Sequence, residues 1–224
     1  MSNIVIGIEG LVASGKSTVA KNLLNKIENS VLLNGGGLYR AILYVMLKSG
    51  EGLKDLEKNL SGANIKQVMD MLGIEIKIEN RETQFYVDGK KIEEDELNSE
   101  QSSMAVSKIG GMADNTKLFE FAREFIENLK KNFNIILTGR ALMVIYPQMD
   151  YHFFVEADID VRVKRRQTQY KDMSKEQIKA HLEERDRLQE EAGFYKIYPN
   201  TIKVDVTNCN TVEESTNALL INIK

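Results

Sequence analysis

Apolar and polar positions along this chain follow two patterns in turn, one typical of strands and one typical of helices. Five short apolar runs predict buried strands, and they lie at 3–9, 31–37, 134–139, 151–156 and 201–206. The second run contains three consecutive glycines, so we expect it to continue into a flexible turn. Between the runs, apolar residues recur at helical spacing, as at Val19, Ala20 and Leu23. The chain therefore has the pattern of an α/β protein.

A segment of different character interrupts this alternation. Residues 74–98 alternate apolar with polar positions, and Asp88-Gly89 marks a turn inside them. This pattern predicts a small antiparallel ribbon. The expected division is an inserted subdomain at 62–106 within a core made of 1–61 and 107–224.

Capping side chains mark the starts of three later helices. Asp114 is a candidate N-cap for an amphipathic helix that runs to about residue 129. Ser174 with Gln177 has the spacing of a capping box, and it opens a highly charged helix. Thr211 with Glu214 has the same spacing and predicts the start of the last helix.

The composition is that of a globular protein with small partners. Hydrophobic residues make up 42% of the chain and the net charge is −3, which excludes the basic footprint of a nucleic-acid-binding protein. One cysteine, Cys209, cannot form an internal disulfide, and this favours a reducing compartment. We find no signal-peptide pattern and no apolar stretch approaching the ~18 residues of a membrane span. We expect a cytoplasmic monomer without nucleic-acid or membrane partners.

The string GLVASGKS at 10–17 matches the phosphate-binding pattern G-x-x-x-x-G-K-[ST]. Its glycines let successive backbone N–H groups point at phosphate oxygens, and the helix that starts there adds its positive end. Lys16 can reach the β- and γ-phosphates, and the Ser17 hydroxyl can bind Mg²⁺. The residues expected to bind ATP in this loop are Gly10, Ala13, Ser14, Gly15, Lys16, Ser17 and Thr18.

A phosphate-binding loop is shared by kinases, GTPases and transporter ATPases. The N-K-x-D motif with which a GTPase reads guanine is absent, because Asn25-Lys26 lies within a predicted helix and is followed by Ile-Glu. The string LSGAN at 60–64 only weakly resembles a transporter signature. A kinase of small acceptors needs arginines from several segments to neutralise two sets of phosphates. Such arginines stand at Arg40, Arg140, Arg162, Arg165, Arg166, Arg185 and Arg187.

The ordered set of motifs resembles the bacterial cytidylate kinases, a group of nucleoside monophosphate kinases, over nearly the whole chain. LNGGGLYRAI at 33–42 is similar to an acceptor-site segment usually written L-D-T-G-A-M-Y-R-A, and HLEERD at 181–186 is similar to the lid. YVDGKKIEEDELNSEQ at 86–101 resembles the family's insert. The resemblance implies a five-stranded parallel sheet with helices on both faces, an acceptor-binding insert and a helical lid at about 163–190.

The resemblance also implies roles for individual residues. Lys16, Arg140 and Arg185 would be the catalytic residues, with Arg185 bridging the donor and acceptor phosphates. Arg165 or Arg166 would bind ATP from the side of the lid. The implied acceptor-site residues are Gly36, Tyr39, Arg40, Ser107, Arg140 and Arg185.

The chain departs from the family pattern at positions that read the base and sugar. Carboxylates usual in the family are replaced by Asn34, Thr138 and Ala141. In the lid, an expected aspartate is Gln189 and an expected arginine is Ala192. Since each buried polar contact is worth ~1–3 kcal/mol of discrimination, these losses predict retained phosphoryl transfer with altered acceptor specificity.

The expected reaction is transfer of a phosphoryl group from ATP to a nucleoside monophosphate, with CMP, dCMP or a related monophosphate as acceptor. Mg²⁺ is the expected cofactor, held by Ser17, and Glu9 is a second candidate through a bridging water. Two alternatives remain open. One is a kinase of a different small acceptor, and the other is a non-catalytic nucleotide-binding protein that has lost acceptor recognition.

Overall fold

A central sheet carries helices on both of its faces. The computed structural model describes residues 3–50, 58, 61–97, 99, 102, 104–108 and 114–224. The strands are β1 Val5–Gly10, β2 Ser30–Asn34, β3 Ile74–Glu79, β4 Glu82–Val87, β5 Lys90–Lys91, β6 Asn134–Thr138, β7 Tyr151–Glu156 and β8 Thr201–Asp205. The helices are α1 Lys16–Leu24, α2 Gly35–Lys48, α3 Ile65–Met71, α4 Glu94–Leu97, α5 Thr116–Lys130, α6 Leu142–Ile145, α7 Ile159–Gln167, α8 Lys175–Glu191 and α9 Val212–Leu220.

Five of the strands are parallel and lie in the order β2-β6-β1-β7-β8. This confirms the α/β prediction and its five parallel strands. All six residues of the central strand β1 are buried, because helices cover the sheet on both sides. The carboxyl ends of parallel strands meet at one edge of a sheet, and ligands of α/β folds bind there. The loops after β1, β2 and β6 therefore come together although they are far apart in the sequence.

The predicted ribbon is antiparallel, but it is joined to the main sheet. Strands β3 and β4 pair from Ile74↔Val87 to Glu79↔Glu82. The ribbon meets β2 through one parallel pair, Leu32↔Glu82, so the described residues form one eight-stranded sheet instead of a five-stranded sheet beside a separate ribbon. The division into a core and an insert at 62–106 stays a prediction.

The glycines after β2 are helical, and the prediction of a flexible turn there was wrong. Strand β2 ends at Asn34, and α2 begins at Gly35. The Asn34 Oδ1 accepts a hydrogen bond from the Gly37 N–H at 3.1 Å, which caps the helix. A Cβ on Gly37 would lie 2.3 Å from the Phe85 ring. At Gly37 the absence of a side chain therefore serves close packing.

Two of the three predicted helix caps lie where the sequence placed them. The capping box of Ser174 and Gln177 and the Thr211 cap are both present. The N-cap of α5 is Asn115 instead of Asp114, although the Asp114 Oδ1 accepts a hydrogen bond from Thr116 N–H at 3.0 Å. Within the described residues, none of the helices is long and apolar enough to cross a membrane.

Candidate active site

The loop between β1 and α1 has a backbone that only certain residues can adopt. Gly10 has φ 151°, and a Cβ there would lie 2.1 Å from the Val155 carbonyl oxygen. Ala13 and Gly15 also have positive φ values, 63° and 99°. These left-handed residues curl the chain so that N–H groups turn toward a common centre, as in other anion-binding loops.

The first turn of α1 faces this centre. The helix starts at Lys16, and Gly15 caps it without any side-chain hydrogen bond. The leading N–H groups of a helix need a partner, and an anion supplies one. Inside the loop, the Ser14 Oγ is buried and has no hydrogen-bond partner among the described residues. Both features fit a bound phosphate.

The outer side of the loop is held by the two lid helices. Arg162 of α7 donates to the Val12 carbonyl at 3.1 Å, and Arg165 donates to the Ser14 carbonyl at 2.7 Å. Asp186 of α8 accepts a hydrogen bond from the Val12 N–H at 3.0 Å and forms an ion pair with Arg162. Because the guanidiniums hold these carbonyl oxygens, they help to keep the loop in its curled conformation.

The lid lies against the loop in this structure. Val163 of α7 and Ile178 and Leu182 of α8 form a small buried apolar cluster with Val12. Tyr195, beyond the end of α8, donates to Asp186 Oδ1 at 2.5 Å. The lid is therefore attached to the phosphate-binding loop by apolar packing as well as by hydrogen bonds.

A cluster of cations lies at the centre of the site. Burial lowers the pKa of Lys16 well below its ordinary value, and nearby Arg140, Arg185, Arg166 and Arg40 lower it further by charge repulsion. Burial and neighbouring guanidiniums also lower the pKa of Arg40 and of Arg185. Guanidiniums stay protonated at neutral pH even so. Five mutually repelling cations form a site that a polyphosphate anion would stabilise.

Two of these arginines come from the acceptor side. Arg185 is only 4% exposed, its Nε lies 3.4 Å from the Ser107 Oγ, and its Nη1 has no partner among the described residues. The Arg140 Nε donates to Gln189 Oε1 at 2.7 Å, and its Nη1 donates to the Gly139 carbonyl at 3.0 Å. Arg185 thus keeps an unused donor inside the site, whereas Arg140 is oriented by its neighbours.

The remaining arginines differ in what they contact. Arg40 Nη1 donates to the Leu97 carbonyl at 3.0 Å. Arg166 lies over the Tyr170 ring, with 5.6 Å between the guanidinium carbon and the ring centroid. Arg165 braces the loop through Ser14, and its second contact is the Val206 carbonyl. Of the arginines in the predicted set, Arg187 lies on the exposed side of α8 and pairs with glutamates.

Two pockets each contain members of the cation cluster. The donor pocket is lined by the phosphate-binding loop, the turn between α7 and α8, and the loop that starts α9. It contains the predicted ATP-site residues Ala13, Ser14, Gly15, Lys16, Ser17, Thr18, Arg165 and Arg166. The acceptor pocket lies between α2, α5 and the ribbon and contains Gly36, Tyr39 and Arg140.

Ser17 and Glu9, the two residues expected to hold the metal, have different surroundings. Ser17 stands at the start of α1 in the donor pocket and is exposed, so its hydroxyl can serve as a ligand beside phosphate oxygens. Glu9 does not fit the role expected of it, because it is 2% exposed and both oxygens are engaged. Its Oε1 accepts from the Leu142 N–H at 3.0 Å and its Oε2 lies 2.7 Å from the His152 Nε2.

Glu9 has a structural place instead. It joins the end of β1 to the first residue of α6, directly after the Arg140 loop, and to β7 through His152. The other ring nitrogen of His152 lies 2.8 Å from the Thr201 Oγ1. Within the described part of the chain, no group of three His, Cys, Asp or Glu side chains could hold a metal ion.

Sequence reasoning did not assign roles to three residues that shape this site. Arg162 was only one of a set of arginines, and Asp186 and Tyr195 were not considered. Asp186 directly follows Arg185 in the lid segment, which was the available signal. The contact between Asp186 and Val12 joins residues 174 positions apart, so only the fold reveals it.

The chain matches known proteins over almost its entire length. The model of the family described as cytidylate kinase matches residues 6–224. A cytidylate kinase of Aquifex aeolicus is 30% identical, covering 93% of this chain and 90% of the relative. One from Thermosipho africanus is 32% identical over 80% of this chain and 72% of the relative.

Structural comparison supports the fold. A solved uncharacterized protein from Eubacterium ventriosum has a TM-score of 0.50 and 14% identity, covering 99% of this chain and 98% of that chain. At this identity the likeness concerns the fold alone. The sequence match over residues 6–224 carries the assignment. The chain therefore belongs to the cytidylate kinase family, a family of nucleoside monophosphate kinases.

Proposed function

We propose that this protein transfers the γ-phosphoryl group of ATP to the phosphate of a nucleoside monophosphate. The observation that carries the proposal is the convergence of Lys16 with Arg40, Arg140, Arg166 and Arg185. Of these, Lys16 and Arg166 line the donor pocket, and Arg140 lines the acceptor pocket. Such a cluster is costly in an empty protein and is stabilised by two facing sets of phosphates. The names of the relatives make CMP and dCMP the first acceptors to assay.

The proposed mechanism needs positioning and charge and no general base, because the acceptor phosphate is already a nucleophile. Lys16 and the loop amides hold the donor phosphates. Arg140, oriented by Gln189, and Arg40 hold the acceptor phosphate in line with the donor. The Arg185 Nη1 is buried and has no hydrogen-bond partner in the described part of the chain, and it stabilises the charge of the moving phosphoryl group.

Magnesium and the lid complete this proposal. Ser17 would hold Mg²⁺ together with the nucleotide phosphates, and the ion would neutralise charge on the donor. The packing of α7 and α8 on Val12 excludes water from the transfer site, which protects the phosphoryl group from hydrolysis. We also propose that the enzyme is a cytoplasmic monomer and that residues 62–106 act as the acceptor-binding insert.

The direct test is detection of the diphosphate product with the wild type and with Lys16→Met. The variant removes the ammonium while keeping an unbranched side chain, and we expect no measurable transfer to any monophosphate. The matched control is Lys26→Met, because Lys26 is an exposed lysine that pairs with Glu213 at 2.7 Å away from the site. We expect the control to keep normal turnover.

Two results would contradict the proposal. One is near-normal transfer by Lys16→Met. The other is tight ATP binding by the wild type with no diphosphate formed from CMP, dCMP, UMP, dTMP, AMP or GMP, which would favour a nucleotide-binding protein without catalysis. The absence of family carboxylates at Thr138 and Ala141 is the observation that keeps this second function under test.

A further inference from the structure

One face of helix α5 is apolar, and it lines the acceptor pocket. Its apolar residues there, which we call the apolar wall, are Leu118, Phe119, Phe121, Ala122 and Phe125. An amphipathic helix normally buries its apolar face, yet of the fifteen residues of α5, all described, only Ile126 is buried. The Phe121 and Phe125 rings stack with centroids 6.2 Å apart. The wall is therefore ordered and half open to the pocket.

Three polar side chains around the same pocket accept hydrogen bonds from the protein. The Asn34 Oδ1 accepts from the Gly37 N–H at 3.1 Å, and the Thr83 Oγ1 accepts from the Asn34 N–H at 3.0 Å. The Gln189 Oε1 accepts from the Arg140 Nε at 2.7 Å. These three side-chain oxygens therefore each already accept a hydrogen bond from the protein.

Two buried donors lie at the charged end of the site. The Arg185 Nη1 and the Tyr39 hydroxyl are both buried, and neither has a hydrogen-bond partner among the described residues. Burial raises the pKa of Tyr39, so its hydroxyl stays protonated and can donate. Together with Arg140, these groups suit an anion. A ligand that fits both ends has a phosphate at one end and an apolar body at the other.

We propose that the acceptor is a phosphate monoester with an apolar ring as its body, and that the apolar wall selects it by contact. This inference rests on the proposed function and names the acceptor class for the same site. Among nucleotides, a methylated pyrimidine on 2′-deoxyribose satisfies the pocket better than cytosine on ribose. Cytosine must lose water from its amino edge against the wall without gaining a protein partner.

Pairs of nucleotides that differ in one group test this selection kinetically. CMP and UMP differ only at the base edge, and we expect their kcat/KM values to agree within about fivefold, whereas a site that hydrogen-bonds the edge discriminates by roughly 100-fold or more. dTMP and dUMP differ by one methyl group, and we expect dTMP to be favoured about fourfold through its buried methyl. A CMP preference above 100-fold over UMP would overturn the inference and leave the kinase function intact.

Binding without ATP provides a readout that does not depend on turnover. Isothermal titration with inorganic phosphate, phenyl phosphate and 1-naphthyl phosphate varies only the apolar body. We expect the affinity to rise at least tenfold from inorganic phosphate to 1-naphthyl phosphate, since burying one ring is worth at least that factor. Equal affinities for the three ligands would overturn the inference.

Substitutions in the wall connect the selection to these residues. Phe121→Ala should lower the affinity for 1-naphthyl phosphate about tenfold and leave that for inorganic phosphate unchanged. Phe121→Leu keeps an apolar side chain, should lose less, and serves if the alanine variant does not fold. The matched control is Leu129→Ala, which shortens an apolar residue of the same helix outside the pocket. Equal losses in Phe121→Ala and Leu129→Ala would count against the wall.

Failure of this inference can be told apart from failure of the proposed function. If no acceptor yields a diphosphate, the proposed function fails, and the aryl phosphate titration still decides whether the pocket prefers apolar bodies. If diphosphates form with strong CMP selectivity, only the acceptor class is wrong.

Discussion

The donor pocket is built from backbone, whereas the acceptor pocket is built from side chains. On the donor side, Gly10, Ala13 and Gly15 set left-handed turns, and Arg162 and Arg165 hold the outward carbonyls. We expect backbone amides to bind phosphate there. The conformation of the loop, more than the identity of its side chains, therefore determines what it can bind. The acceptor pocket depends on which side chains stand on α2, α5 and α8. Its ligand can therefore change through substitutions that leave the fold intact.

The charge shared by the two pockets should give the largest effect. Arg185→Ala should lower kcat by roughly 10³-fold, because an arginine on the transferring phosphoryl group is worth that much or more. Steady-state kinetics measures the loss. Arg187→Ala, on the same helix but exposed and paired with glutamates, should keep full activity. Equal rates for the two variants would show that Arg185 does not act on the transferring phosphoryl group.

Glycine substitutions in the phosphate-binding loop and beside the acceptor pocket should change the free energy of unfolding by different amounts. Gly10→Ala places a Cβ 2.1 Å from the Val155 carbonyl at φ 151°, so we expect roughly 3 kcal/mol lower free energy of unfolding. Gly36→Ala meets no atom closer than 3.6 Å and lies in a helix, so we expect unchanged or slightly higher stability. Urea denaturation measures both. Similar losses would contradict the comparison.

Binding of tripolyphosphate should stabilise the protein, and the pH dependence should identify Lys16. At 100 times its Kd the anion adds ~2.7 kcal/mol. The pKa of Lys16 is lowered, so its charge is present at low pH and is lost as pH rises, well before an ordinary lysine titrates near ~10.4. The stabilisation by tripolyphosphate should therefore decline in the wild type as the pH rises, at a lower pH than an ordinary lysine would give. In Lys16→Arg this decline should be absent, because the guanidinium keeps its charge. A parallel decline in the variant would exclude Lys16 as the titrating group.

The smallest effect should come from an acceptor-side positioning residue. Gln189→Leu removes the hydrogen bond to Arg140 at 2.7 Å, which is worth ~1 kcal/mol. We expect about a fivefold higher KM for the acceptor with little change in the KM for ATP. Gln189→Glu restores an acceptor oxygen and should restore the acceptor KM. A change in the ATP KM instead would place Gln189 on the donor side.

Sequence reasoning succeeded for the phosphate-binding loop and for a capping box, whose contacts are local, and failed for Glu9, whose contacts are distant. The loop at 10–17 and the capping box at Ser174 depend on residues a few positions apart, and both elements lie where expected. Glu9 was the second candidate for holding magnesium, through a bridging water. It is buried instead, since strand alternation turns it toward His152 of the neighbouring strand β7. Residues 98, 100, 101, 103 and 109–113 lie outside the described residues, so predictions that involve them stay untested.

The sequence by itself determined the phosphate-binding loop and the strand–helix alternation, because turn geometry and amphipathic periodicity depend on neighbouring residues. Only the tertiary structure decided which arginines serve the site. Arg185 and Arg187 stand two positions apart on α8, yet about 200° of helical rotation separates them, so one is buried against Ser107 and the other is exposed. The packing of α8 on the loop, which depends on distant residues such as Val12, decides which face turns inward.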